Sequence, residues 1–61
     1  MFLVKKEDLL EQIDKIMEVL ESITYQVDNN TALDHVQLHT GYKLLHDSIN
    51  NLNAIKRFFD C

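Results

Sequence analysis

The sequence predicts an all-α fold: an antiparallel two-helix hairpin that dimerises into a four-helix bundle. Three observations predict it. The 61 residues contain no proline and one glycine, Gly41, whereas strands need turn residues to connect them. Apolar side chains recur at steps of three and four in both halves, the mark of helices packing side by side. Between the halves stands Asp28-Asn29-Asn30, residues whose side chains compete with helical hydrogen bonds and favour turns.

The chain reads as one helical-hairpin unit over residues 1–61. The first helix is expected from about residue 5 to 27. Its seam is Leu9, Ile13, Ile16, Leu20, Ile23 and Val27. Leu10 and Met17 widen the stripe beyond what one neighbouring helix needs. Glu11, Asp14, Glu18 and Glu21 occupy the other face, and Glu11 to Lys15 is an i,i+4 pair in the favoured order.

A turn is expected over 28–30. Thr31 is the expected N-cap of the second helix, with Asp34 three residues on as a shortened capping box. So short a connection makes the helices antiparallel neighbours. The second helix is expected from about 31 to 58. Leu38, Leu45, Leu52 and Phe59 repeat every seven residues, with Tyr42 and Ile49 on one side of that row and Gly41, Ser48 and Ile55 on the other. Gly41 costs about 1 kcal/mol of helix propensity relative to alanine, so close packing is expected to offset it. The two helices should be roughly 35 and 40 Å long, matched as a hairpin requires.

A hairpin has one internal seam, yet both helices carry stripes wide enough for two. The oligomer seam is therefore expected to draw on Leu9, Ile13, Ile16, Leu20, Ile23 and Val27 with Leu38, Leu45, Ile49 and Leu52. The single cysteine, Cys61, permits no internal disulfide and suits a reducing, cytoplasmic setting. No apolar run is long enough to span a membrane. Met1-Phe2-Leu3-Val4 is followed by Lys5-Lys6-Glu7-Asp8, the wrong order for a signal peptide.

The formal net charge is -4, which disfavours a general nucleic-acid or anionic-membrane binder. The charge is uneven. Residues 5–28 hold seven acids and three lysines, and residues 31–61 hold three acids, three basic residues and all three histidines.

No set of catalytic residues with recognisable spacing is present, and an enzyme is not expected. His35 and His39 lie at i,i+4 and share a helix face, but two ligands are too few for a metal site. A third would have to come from Glu21, Asp28 or another chain, so no metal or cofactor is expected. Two surfaces are the candidates for binding. One is the row His39, Lys43, His46, Asn50, Asn53 and Arg57, which lies outside the seam and contains no carboxylate. The other is the acidic set Glu7, Asp8, Glu11, Asp14, Glu18 and Glu21, suited to imitating a phosphate backbone before a basic partner.

In length and heptad spacing the chain resembles the Rop type of plasmid RNA-binding protein. That resemblance implies a hairpin dimer gripping paired RNA loops across one bundle face, and it carries no residue across. Lys43-Leu44 and Asn53-Ala54-Ile55-Lys56-Arg57 resemble the last helix of small phage proteins that sequester cyclic-oligonucleotide immune signals. That resemblance implies an oligomer of short helices with ligands held between subunits. This sequence lacks the family's Cys-Pro turn and its aromatic-Ala-Asn run. The leading expectation is a small non-enzymatic oligomer that binds another protein as a regulator or inhibitor. The alternative is a nucleotide or RNA binder using the polar row on the second helix.

Overall fold

Two helices pack against each other as an antiparallel hairpin: α1, Lys6–Asp28, and α2, His35–Asp60. The structure, a computed structural model, describes residues 5–61. The apolar opening Met1-Phe2-Leu3-Val4 lies outside the described residues. With 23 and 26 residues the helices are close in length, as the seam spacing predicts. No described helix is long and apolar enough to cross a membrane.

The connection is longer than the expected three residues, and the cap lies elsewhere. Asn29 ends α1, its backbone N–H and its Nδ2 both donating to the Tyr25 carbonyl at 3.1 and 2.9 Å. Asn30 Oδ1 then accepts from the Ala32 N–H at 2.9 Å. These asparagines build the turn in the way their chemistry predicts. The N-cap of α2 is Asp34, not Thr31. Its Oδ1 accepts from the Gln37 N–H at 2.8 Å, while Gln37 Oε1 accepts from the Asp34 N–H at 3.1 Å. A full capping box therefore stands three residues later than the one expected. Glutamine has the reach to return to the cap, which an aspartate at the same position lacks. Leu33 and Leu38, both half-buried, occupy the two staple positions around this cap.

The internal seam differs in one respect from the sequence pattern. Ile13 is the one buried hydrophobic among the described residues, at 5% exposure. Leu10, Met17, Leu20, Thr24 and Val27 are half-buried with it, and Leu9 lies at its edge. Ile16 and Ile23 remain exposed, at 48% and 38%. The contact stripe of α1 is thus rotated toward Met17 and Thr24. Thr24 tolerates the seam because its hydroxyl donates to the Leu20 carbonyl at 2.8 Å. On α2 the half-buried set is Leu38, Gly41, Tyr42, Leu45, Ile49, Leu52 and Lys56.

A cross-helix ion pair marks the register. Lys56 Nζ donates to Asp14 Oδ1 at 2.8 Å. Near the turn, Asp28 lies beside Tyr42. Toward the open end, Lys6 Nζ reaches the Asp60 carbonyl at 3.4 Å. With these pairs as rungs, Ile16 lies level with Ile55, Val19 with Asn51, and Ile23 with Ser48.

The hairpin is a thin rod of 46 × 19 × 17 Å. Its radius of gyration is 14.6 Å, against about 10.5 Å for a compact domain of this length. It exposes 5293 Å², against roughly 4,100 Å² for a compact monomer of this mass.

Candidate interaction faces

The two flanks of the helix seam are chemically opposite. Antiparallel right-handed helices turn in opposite senses when viewed down one axis. Residues that follow the seam in the helical rotation on α1 and those that follow it on α2 therefore share a side, and so do those that precede it. Glu21, Thr24, His46, Ile49 and Asn50 line one groove between the helices, of about 290 Å³, and this groove marks the polar side. Ile16, Val19 and Ile23 of α1 lie on the other side, as do Leu44, Ile55 and Phe59 of α2.

On the polar side, His39, Lys43, His46, Asn50, Asn53 and Arg57 are all exposed. The structure brings His46 and Asn50 together with Glu21 in the groove. A carboxylate thus stands beside a row that contains none of its own. The acids follow steps of four and three through Glu7, Glu11, Asp14, Glu18 and Glu21, so they form a line along α1 on the polar side, parallel to the row on α2. Asp14 is drawn out of that line by Lys56. Glu11 approaches Lys15 at 3.7 Å with both side chains largely exposed, a pair of little energetic weight. Asp8 lies off the line, in the first turn of α1 with Glu7, where both complement the helix dipole. The cross-helix pairing of Asp14 carries no signal in the periodicity of either helix alone. Only the antiparallel register makes it visible.

A second open groove of about 350 Å³ is lined by His35, Leu38, His39 and Tyr42. No group of three potential metal-binding side chains occurs among the described residues. Of the donors considered for His35 and His39, Glu21 lines the His46 groove and Asp28 lies beside Tyr42. Loss of hydration at its half-buried position holds the Tyr42 phenol above its ordinary range, and the Asp28 carboxylate, as hydrogen-bond acceptor and as charge, pushes the same way. Cys61 is exposed and free.

The opposite side carries large exposed apolar residues, with exposed Ser48 and Asn51 among them. Ile16, Val19, Ile23, Leu44, Ile55 and Phe59 expose 48, 58, 38, 61, 42 and 42% of their surface. Phe58, 75% exposed, meets Phe59 edge to face with ring centroids 5.1 Å apart. The sequence pattern places Ile16, Ile23 and Ile55 on stripes, whereas Val19 and Leu44 fall outside those stripes. The steps of three and four that join Val19 to Ile16 and Ile23 are the signal that finds it. No protein-family model, curated protein or solved structure matches the chain.

Proposed function

We propose that this protein is a non-enzymatic binding protein of the cytoplasm. It self-associates through its apolar side into a four-helix bundle and acts by binding another protein, which it regulates or inhibits. One observation carries this reading: large exposed apolar residues of both helices gather on one side, while Ile13 is the one buried hydrophobic among the described residues. Fully covering an exposed isoleucine or leucine contributes about 1.5–3 kcal/mol, so six apolar residues left 38–61% exposed represent part of that stability, which a lone hairpin forgoes. The surface in excess of a compact monomer, about 1,200 Å², exceeds the roughly 800 Å² that each partner of a standard interface buries.

Self-association leaves the polar side of each copy facing outward. The acidic line of Glu7, Glu11, Glu18 and Glu21 suits a partner with a basic surface. The test is capture of a defined basic partner by the parent protein and by a variant with these four glutamates changed to glutamine. Retained capture by the variant removes the acidic line from the proposal.

A second reading is supported by the exposure of all six residues His39, Lys43, His46, Asn50, Asn53 and Arg57: binding of RNA or a cyclic oligonucleotide along that row. RNA affinity would fall steeply with salt, and a cyclic nucleotide would raise the melting temperature. Neither effect should survive Lys43→Ala combined with Arg57→Ala.

A further inference from the structure

The geometry points to one occupant for the apolar side: a second copy of this chain, laid so that its α2 rests on α1 and its α1 on α2. This rests on the four-helix reading and extends it by fixing which helix meets which. A two-fold axis between two such hairpins runs either along the rod or across it. Along the rod, each α1 meets the partner's α2 at the same level. Across the rod, α1 meets α1 and α2 meets α2, with levels inverted.

Charge favours the lengthwise axis. Residues 5–28 carry seven acids against three lysines, whereas residues 31–61 carry three acids against three basic residues. Packed helices lie about 8–10 Å apart, within or close to the screening length of about 8 Å at physiological salt. A crosswise axis would set two net-negative helices side by side. A lengthwise axis sets each acidic helix against a neutral one.

The distribution of bulk favours the same axis. On α1 the exposed apolar residues Ile16, Val19 and Ile23 form a ridge at mid-length. On α2 the large residues Leu44 and Ile55 stand apart, with exposed Ser48 and Asn51 between them. Ile23 is level with Ser48 and Val19 with Asn51, so the lengthwise arrangement seats the ridge of one copy in the low stretch of the other. The crosswise arrangement sets ridge on ridge over α1 and low stretch on low stretch over α2, which crowds one half and leaves the other short of contacts. Gly41 agrees with a close neighbour from outside. A Cβ built there would lie 3.9 Å from Val27 Cγ1, an ordinary contact, and its φ is not positive. The hairpin by itself therefore gives no reason for glycine.

The test uses two full-length proteins in a Cys61→Ser background, one carrying Val19→Cys and the other Asn51→Cys. Both positions are exposed in the hairpin, and circular dichroism checks that each variant keeps its helicity. The two are mixed and oxidised at a concentration where the parent sediments as a dimer. The expected product joins V19C to N51C, at least tenfold in excess over V19C joined to itself. A dominant V19C self-product, or no mixed product from helical variants that associate, overturns the helix pairing and leaves the four-helix reading standing. A parent protein that sediments only as single chains overturns both.

Discussion

The two sides of this hairpin are made from the same two helices and differ in almost every physical respect. One side carries Ile16, Val19 and Ile23 level with Ser48, Asn51 and Ile55, and it has no ion pair among the described residues. The other carries Glu21 with His46 and Asn50 in a groove, flanked by a line of acids and a row of donors. Both helices are amphipathic, but each apolar stripe is wider than the seam between them. The excess of both stripes falls on one side because antiparallel pairing brings the matching flanks together. A pair of stripes that each looked slightly too wide thus becomes one coherent surface. The polar side has the opposite character: its groups are hydrated already and gain little from being covered by another copy.

This contrast fixes the order of expected effects. The largest belongs to the seam that supports both sides. Leu45→Ala should cost about 2–5 kcal/mol, read as a melting temperature that falls and becomes more dependent on protein concentration. Next come charges placed on one side only. Ile23→Glu with Ile55→Glu should abolish self-association in sedimentation velocity, each losing up to about 1.5–3 kcal/mol of burial. Asn50→Asp with Asn53→Asp on the polar side should leave the sedimenting mass unchanged. If the two double variants behave alike, the distinction between the sides fails.

Asp34→Ala removes the cap of α2 and should cost about 1 kcal/mol in chemical denaturation, with the same loss at every protein concentration that leaves the parent associated. Lys56→Ala breaks the pair with Asp14 where both side chains are partly exposed, at 35% and 46%, so solvent screening limits the loss to about 0–1 kcal/mol. The smallest effect is a pH dependence. Tyr42 has its folded-state pKa raised, so the folded state holds the phenolic proton more tightly than the unfolded chain. The associated stability is fully present below the ordinary tyrosine range and is lost as pH rises through the raised folded value. Alkaline melts of the Tyr42→Phe variant should show a shallower decline than the parent.

Much of this was legible in the sequence. The absence of proline, the heptad steps and the Asp28-Asn29-Asn30 break are local signals, and they led to the right class and the right pair of helices. The start of α2 is ambiguous in the sequence because Thr31-Asp34 and Asp34-Gln37 both have cap spacing. Only the longer return reach of Gln37, with Leu33 and Leu38 around it, decides between them. The rotation of the α1 seam toward Met17 and Thr24 was hidden for a related reason. A threonine in a seam looks polar until its hydroxyl is seen to bond the Leu20 carbonyl. The Asp14–Lys56 pair and the meeting of Glu21 with His46 depend on register between distant segments, which no single-helix period encodes. The spacing predicts an outward row of six residues on α2, and all six are exposed; the carboxylate of Glu21 beside His46 and Asn50 comes from α1 and carries no signal in the period of α2.

The central claim is that a second chain covers the apolar side. Sedimentation equilibrium of the unmodified protein, taken from low micromolar concentration upward with helicity followed in parallel, tests it most directly. Twice the single-chain mass is expected at high concentration, with a loss of helix on dilution that tracks dissociation. A fully helical protein that keeps the single-chain mass at every concentration would contradict it.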